Sequence, residues 1–512
     1  MTVIRNISYF LAAMVFARAI GFLQSFVLAK ALGPQEFGVW ITLLLIVTYS
    51  PIISLGSVET LVKKVPYFLG RNEKERVREV ESSVLGSLTL SAGVILALAL
   101  AALLVLPLTA IKISRYIVAM WLVTIAISYF SAYFYQRFCA YENFKMTGAT
   151  DACRSVLSLL LVGGLGWVWG LRGAVAGFFL QEIGVFGIAA SLNIRAYGAP
   201  GISFRKDLIV NAVRIGFPIT LLLWVLGLSA SVDRVVLGSL LGAVSVGYYG
   251  LGMSVAGILA LIPMVVGRVL YPKVNKQFGE NPDSESMKRV VVAPSLALGT
   301  LAVNMQAVLL VGAPFLYCVM LPKYRPGLLA GQILILGSFF GALMRNGTNY
   351  LIATNHERIF LKYIAATLVF NIVFDVGLVR AGFGTEGVAV GTSLAGLFLT
   401  TLVWRRTLKG LGFAGRRQWG AMFELFLPII VLTLVFCCLW VFHRTMFQKP
   451  GLSLAPIGVL LLVLVNGILW CIPVYRNEMI AWKNRVLRRN KAAPARNLVE
   501  APEFQPADKL EK

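Results

Sequence analysis

The sequence predicts an all-α integral membrane protein of about 14 transmembrane helices, with two six-helix lobes related by an internal repeat and two extra C-terminal helices. Two observations establish the class. Hydrophobic residues make up 58% and charged residues 14% of the 512 residues, and the mean hydropathy is +0.79. The apolar residues form continuous runs, such as residues 90–106 (LSAGVILALALAALLVL). This pattern is typical of a spanning helix, whereas a barrel strand alternates over about ten residues.

The apolar runs are separated by short polar loops, none large enough to hold a catalytic domain. The first run is long enough to span the membrane and lacks a small-residue cleavage pattern, so we interpret it as a helix and not as a signal peptide. The predicted spans are 7–30, 36–57, 82–107, 115–136, 152–169, 173–193, 211–239, 245–267, 289–316, 327–350, 358–380, 386–408, 418–442 and 452–475.

The charge distribution predicts the topology. The chain has 47 Lys and Arg residues against 23 acidic residues, a net charge of +24. With the N-terminus in the cytoplasm, roughly 35 of the basic residues fall on cytoplasmic segments, roughly 9 outside and roughly 3 within spans. This asymmetry favours cytoplasmic N- and C-termini. It also explains the basic composition as a topology signal with anionic-lipid contact, so no nucleic-acid partner is expected.

An internal repeat predicts the two lobes. At an offset of 209, about eleven of 46 positions are identical, where composition alone gives roughly four. The identical pairs are Val27/Val236, Leu28/Leu237, Leu32/Leu241, Gly33/Gly242, Gly38/Gly247, Ile53/Ile262, Leu61/Leu270, Lys64/Lys273, Val65/Val274, Gly70/Gly279 and Asn72/Asn281. At an offset of 214, a second set of pairs is Gly170/Gly384, Gly173/Gly387 and Gly177/Gly391.

The repeat divides the chain into an N-lobe (residues 1–208), a C-lobe (209–410), two extra helices (411–476) and a basic cytoplasmic tail (477–512). Two copies in the same chain direction imply lobes related by an axis along the membrane normal, with a substrate path between them. The G-x-x-x-G pairs that begin the sixth and twelfth spans favour close helix packing.

Three segments resemble the polysaccharide transporter family, the Wzx-type O-antigen and exopolysaccharide flippases. They are residues 28–40 (LAKALGPQEFGVW) with the basic stretch 61–81, residues 216–249, and residues 371–393 (NIVFDVGLVRAGFGTEGVAVGTS). The resemblance follows the helix order of the whole chain. It implies a fold shared with multidrug and toxin extrusion proteins and lipid II flippases.

The resemblance also implies a function. The expected cargo is an undecaprenyl diphosphate-linked oligosaccharide, moved by alternating access from the cytoplasmic to the periplasmic leaflet of the bacterial inner membrane. Membrane lipids and polysaccharide polymerase machinery are the expected partners. The resemblance names neither the glycan nor the final polymer, which is O-antigen, capsule or exopolysaccharide.

Polar residues inside spans are costly and are therefore candidates for the substrate cavity. Arg18, near the middle of the first span, either lines a cationic cavity or forms a structural ion pair. Asp233 and Arg234 in the seventh span are open to the same two interpretations, and the repeat aligns Asp233 with Gln24, a further cavity candidate.

Four more polar residues are cavity candidates with structural alternatives. Asn371 and Asp375, four residues apart, share one helix face that either lines a polar path or holds helices together. Asn304 and Gln306 in the ninth span either bind sugar hydroxyls or make interhelical hydrogen bonds.

Glu182 is the candidate coupling residue, since burial would favour its protonated form. The alternative is that it neutralises Arg18. We expect no cofactor, and no metal site, because the six cysteines form no C-x-x-C pair and the two histidines are isolated.

Two other functions compete with flipping. A multidrug or cation antiporter of the same fold would prefer an acidic cavity, which Arg18 and Arg234 disfavour if they face the lumen. A membrane glycosyltransferase or polymerase would need a large extramembrane loop or an acidic metal-binding motif, and neither occurs in the sequence. We therefore expect a transporter and not an enzyme; a scaffold role is the least favoured, since intramembrane charges are costly.

Overall fold

The computed structural model describes residues 2–105, 115–261, 284–442 and 454–476, together with residues 263, 266, 274, 277 and 278. Every regular element in these ranges is helical. The N-lobe contains α1 (2–32), α2 (34–49), α3 (Glu59–Gly70), α4 (Lys74–Val105), α5 (Arg115–Ala140), α6 (144–169, with a π-helical turn at Ser158–Gly163) and α7 (171–197).

The C-lobe contains α8 (Lys206–Ser229), α9 (Val232–Leu240), α10 (Ala243–Gly257), α11 (Ser284–Phe315), α12 (Leu328–Ala353), α13 (Glu357–Arg380) and α14 (Gly384–Gly410). The extra helices are α15 (Gly415–Phe442) and α16 (Leu454–Cys471). The predicted tail, 477–512, and the repeat partners Ile262, Leu270, Lys273, Gly279 and Asn281 lie outside the described residues.

The predicted multi-pass architecture is confirmed. In the described part of the chain, 11 helical segments are long and apolar enough to cross a membrane. Two of them, of 41 and 54 residues, each contain two predicted spans. They are divided at Gly33 and Gly170, whose backbones leave the helical region. The last predicted span is the shorter apolar helix α16.

The predicted seventh span differs from the structure. The predicted span runs unbroken from 211 to 239, but Ala230 and Ser231 form a turn that separates α8 from α9. The Ser231 hydroxyl donates to the carbonyl of Gly227 at 2.7 Å. A hydroxyl that bonds to its own helix backbone in this way competes with the regular ladder and bends helices.

Backbone geometry confirms the internal repeat. Gly33 and Gly242, 209 residues apart, share a left-handed φ of 68° and 83° with ψ of 175° and −179°. Gly170 and Gly384, 214 residues apart, have φ of 63° and 59°. Only glycine adopts such angles readily, and each residue lies where one span turns into the next. Equivalent turns therefore occupy equivalent positions in the two lobes.

The lobes meet through α2. Its first turns pack against α10 of the C-lobe. Beyond its end, Gly56 lies against Gly216 of α8, and the Thr60 hydroxyl donates to the carbonyl of Ala212 at 2.7 Å. The extra helices α15 and α16 pack against each other and against α11, away from this junction. The N-lobe and C-lobe thus contact each other near both ends of α2.

A buried ion pair fixes the N-lobe helices at one end. Arg137 of α5 is 2% exposed and donates to both carboxylate oxygens of Glu81 on α4, at 2.7 and 2.9 Å. Its third nitrogen donates to Asn193 of α7 at 2.9 Å. Burial, together with the charge of Glu81, raises the pKa of Tyr141, which donates to that carboxylate, to about 12. This network is saturated with partners and is structural.

Candidate functional site

Four polar side chains from α9, α10, α13 and α14 lie near one another inside the C-lobe, and the buried Asn371 lies one helical turn before one of them, Asp375. We call Asp233, Tyr249, Asn371, Asp375 and Thr392 the polar cluster. The Tyr249 hydroxyl donates to Asp233 Oδ2 and lies 2.9 Å from the Thr392 hydroxyl. Asp375 lies close enough to Asp233 for the two carboxylates to interact electrostatically. The cluster thus places two acidic groups together in the interior of a membrane protein.

Several oxygens of the cluster lack partners. Both carboxylate oxygens of Asp375 and the amide oxygen of Asn371 are buried and make no hydrogen bond to any described residue. Gly391 of α14 packs directly on Asp375, since a Cβ there would lie 2.1 Å from Asp375 Oδ1. Buried polar atoms without partners cost free energy, which makes these oxygens candidates for a functional role.

The donor set indicates what the polar cluster can hold. Two neighbouring carboxylates repel each other in a low-dielectric interior; the Arg234 guanidinium, 3.8 Å from Asp233 Oδ1, compensates one charge, and a proton or cation would compensate the other. The available ligands are carboxylate, amide and hydroxyl oxygens, which suit hard cations rather than thiophilic metals. Among the described residues no three His, Cys, Asp or Glu side chains converge as a metal site. A proton or a small monovalent cation therefore fits this chemistry best.

The repeat shows that the fold itself does not require this cluster. Tyr249 and Thr392 correspond to Trp40 and Phe178 of the N-lobe, at the same offsets of 209 and 214. In the N-lobe the pair makes an apolar edge-to-face contact, with ring centroids 6.0 Å apart. Asp375 corresponds to Leu161. One architecture thus carries an aromatic core in one lobe and acidic groups in the other.

The break in the seventh span positions Asp233. Because α9 begins at Val232, Asp233 lies in its first turn, where free backbone amides and the helix dipole favour a carboxylate. Its Oδ1 accepts from the amide of Arg234 at 2.8 Å. On the opposite side of the break, Tyr49 of α2 hydrogen-bonds to Ser231. The broken helix therefore connects the polar cluster to the lobe junction.

A cavity of about 760 Å³ lies at the junction of α2, α4, α5 and α9, and we call it the seam groove. Its walls are mostly Val, Leu and Ile, including Ile46, Leu98 and Val235. Arg234 is the one charged residue among its described lining residues. The groove therefore combines an apolar wall with a single guanidinium, next in sequence to the polar cluster.

Residues 3–277, more than half of the chain, match the family model described as "Polysaccharide biosynthesis protein". The chain belongs to this polysaccharide biosynthesis family. The sequence resemblance to polysaccharide transporters is thereby confirmed at the level of the family. A comparison with curated protein sequences gives no match.

Solved structures with the same fold are transporters. The lipid II flippase MurJ in an inward closed conformation has a TM-score of 0.66 at 14% identity, over 90% of this chain and 98% of MurJ. An inward-facing MATE multidrug resistance transporter has a TM-score of 0.61 at 14% identity, over 78% and 98%. The Vibrio cholerae MATE transporter VcmN has 0.55 at 16% identity, over 82% and 99%. At these identities the similarity establishes the fold of this polysaccharide biosynthesis family member.

Of the predicted cavity residues, Asp233 and Asp375 lie close together, Asn371 is buried one helical turn before Asp375, and Arg234 lines the seam groove. Arg18 on α1 is exposed and makes no ion pair with a described residue, and Gln24 is half-buried. On the first span of this family member, Arg18 is thus a cation without an acidic partner among the described residues.

Asn304 and Gln306 lie apart from the polar cluster. Asn304 and Asn466 of α16 exchange amide hydrogen bonds of 3.2 and 2.6 Å. Gln306 is fully buried and donates to the carbonyl of Ile335 on α12 at 2.6 Å. Both side chains therefore make the interhelical hydrogen bonds that were the alternative interpretation.

Glu182 is fully buried and pairs with Arg154 of α6, not with Arg18. Gln181 also donates to Glu182 Oε1, at 3.1 Å. One carboxylate oxygen, Oε2, has no hydrogen-bond partner among the described residues. A coupling role for Glu182 would therefore involve breaking or protonating an ion pair inside the N-lobe.

Sequence reasoning missed Tyr249 and Thr392. Neither is charged, and each lies in a span that is otherwise apolar or small, so hydropathy alone gives no signal. A comparison of the two lobes through the internal repeat would have pointed to both residues. Aligning the lobes places a hydroxyl-bearing residue opposite Trp40 and another opposite Phe178, each in the span that follows one with an acidic residue of the cluster.

Proposed function

We propose that the protein is a flippase that moves an undecaprenyl diphosphate-linked oligosaccharide from the cytoplasmic to the periplasmic leaflet of a bacterial inner membrane. The family match over residues 3–277 is the observation that carries this proposal. The two-lobed transporter fold supports it. The exported glycan then serves assembly of O-antigen, capsule or exopolysaccharide, which links the protein to polymerase machinery.

Alternating access would operate at the two contacts made by α2. In the predicted topology the contact of Gly38 with α10 lies on the periplasmic side, and the contact of Gly56 with α8 lies on the cytoplasmic side. A pathway open to one side at a time requires these contacts to separate in turn. The lobes therefore rock about α2 as cargo crosses.

The polar cluster would couple this movement to a proton or small cation. Its residues come from α9, α10, α13 and α14, so occupation of the site changes how four C-lobe helices attract one another. Without a bound proton or cation the two carboxylates repel each other, and one proton or monovalent cation lowers their summed charge from −2 to −1. A proton or cation that binds one conformation of the lobes more tightly than the other shifts the equilibrium between the two conformations.

Arg18 would receive the anionic headgroup. The first span carries this exposed guanidinium at membrane depth, where a charge is expensive without water or a ligand. A diphosphate is a suitable partner, because arginine binds phosphate oxygens with paired, charge-assisted hydrogen bonds. The headgroup thus crosses next to a compensating charge.

A cation or drug antiporter is the second candidate. The observation that favours it is the combination of an acidic cluster with a largely apolar cavity, which suits a lipophilic cation. Arg234 on the wall of that cavity opposes it, because a cation would be repelled there.

Reconstituted vesicles separate the two candidates. The purified protein is assayed for transbilayer movement of a fluorescent polyprenyl diphosphate glycan and, in parallel, for uptake of a lipophilic cation. We expect glycan movement that falls at least about tenfold in Asp375→Asn. Glu386→Gln, on the neighbouring α14, is the matched control and keeps wild-type rates. Cation uptake without glycan movement would reject the flippase in favour of the antiporter.

A further inference from the structure

The seam groove is long and apolar enough to hold a hydrocarbon chain. Its lining runs along α2 from Val39 to Tyr49, about 15 Å at 1.5 Å per residue, and continues beyond the helix to Ile53. Ile46, Leu98 and Val235 on its walls are 47%, 50% and 47% exposed. The groove is therefore long, apolar and accessible, and three of its helices, α2, α4 and α5, belong to segments long and apolar enough to cross a membrane.

The groove is poorly suited to a sugar. Four of its lining residues carry hydroxyls, and each proton is already used internally. Thr42 donates to the carbonyl of Gly38 at 3.0 Å, Ser50 to that of Val47 at 2.9 Å and Ser239 to that of Val236 at 3.1 Å. Tyr49 is engaged with Ser231 and the carbonyl of Gly227. A carbohydrate needs more hydrogen-bonding groups than this wall offers.

Arg234 gives the groove one charged position. Its Nη2 donates to the carbonyl of Ala230 at 2.8 Å, which holds the guanidinium in place. Its Nε is buried with no hydrogen-bond partner among the described residues, and it lies 3.8 Å from Asp233 Oδ1. The Arg234 side chain is 25% exposed and lines the groove, its Nη1 makes no hydrogen bond to a described residue, and its charge complements a phosphate.

We propose that the seam groove holds the isoprenoid chain of a polyprenyl phosphate carrier, with Arg234 at the phosphate nearest the chain. This proposal rests on the proposed function, because it assumes a lipid-linked cargo, and it adds where the carrier sits on the protein. The apolar wall contacts the isoprenoid chain. The Arg234 guanidinium binds the first phosphate and so sets its depth in the membrane. The glycan itself lies beyond the groove.

The first experiment compares carriers of different length. Vesicles containing the protein receive the same diphosphate glycan on a long polyprenyl chain or on a chain of a few isoprene units. Val235→Trp fills the groove, whereas Leu240→Trp on the same helix is the control, because Leu240 is 45% exposed and does not line the groove. We expect Val235→Trp to slow the long-chain cargo about tenfold and to leave the short-chain cargo and the control unchanged. Equal effects on both cargoes would overturn the proposal.

The second experiment measures binding and does not depend on transport. A photoreactive polyprenyl monophosphate is crosslinked to the purified protein, and the labelled peptides are identified. We expect labelling of α2 and α9 that unlabelled polyprenyl phosphate competes better than polyprenol does, with the preference lost in Arg234→Gln. Labelling of other helices, or labelling that Val235→Trp leaves unchanged, would contradict binding of the isoprenoid chain in the seam groove. Labelling there with no movement of either cargo would instead reject the flippase.

Discussion

Gly38 and Gly247, equivalent residues of the two lobes, pack against each other's helices at the lobe junction. A Cβ on Gly38 would lie 1.7 Å from the carbonyl oxygen of Ala243, and a Cβ on Gly247 would lie 2.0 Å from that of Pro34. Pro34 and Ala243 are themselves 209 residues apart. The contact is therefore reciprocal about the repeat axis, and neither position has room for a side chain.

Replacing either glycine should hold the lobes apart. In Gly38→Ala or Gly247→Ala the methyl group overlaps backbone atoms, which cannot move aside as a side-chain end can. We expect a population shift away from the state in which α2 touches α10. Distances between spin labels on these helices measure the shift. Gly257→Ala on α10, with open space around its Cβ, is the control, and an unchanged distance in the two glycine variants would contradict the interpretation.

Gly391→Ala should displace Asp375 from the polar cluster. The new methyl group would overlap the carboxylate and push it away from Asp233. We expect transport to fall about tenfold or more, because misplacing one group by about an ångström is costly. Gly377→Ala on α13 meets nothing within 4 Å and should transport normally. Equal activity in both variants would exclude Asp375 from coupling.

Arg137→Gln should destabilise the N-lobe without a specific effect on cargo. It leaves Glu81 buried and without its guanidinium partner, a change that costs about 3–5 kcal/mol. Chemical unfolding in detergent measures the loss. Arg205→Gln, which breaks an exposed pair with Asp207, should unfold like the wild type. An equally stable Arg137→Gln would show that the network is dispensable.

Asn304→Leu should lower stability modestly and spare transport. The side chain bonds to Asn466, and such interhelical bonds contribute about 0.6–2 kcal/mol. A double-mutant cycle with Asn466→Leu should recover most of that value as coupling. Normal stability with lost transport would show that Asn304 acts in transport and not in helix packing.

The sequence predicted the number and order of spans because a spanning helix must carry a long apolar run, and it predicted the repeat because eleven identities persist at one offset. The break at residues 230–231 was not predicted, since apolar residues continue on both sides of it and it contains neither Pro nor Gly. Hydropathy gives the depth of a residue and not the direction of its side chain. For that reason Gln306 and Asp375 looked alike, although one bonds to α12 and the other faces Asp233.

The sidedness of lipid-linked oligosaccharide in bacterial membranes tests the central claim most directly. The glycan on each face is quantified with a membrane-impermeant probe in cells with the protein, without it, and with Arg18→Ala at normal expression. We predict cytoplasmic accumulation without the protein and no restoration by the Arg18→Ala variant. An unchanged distribution in cells that lack the protein would contradict the flippase function.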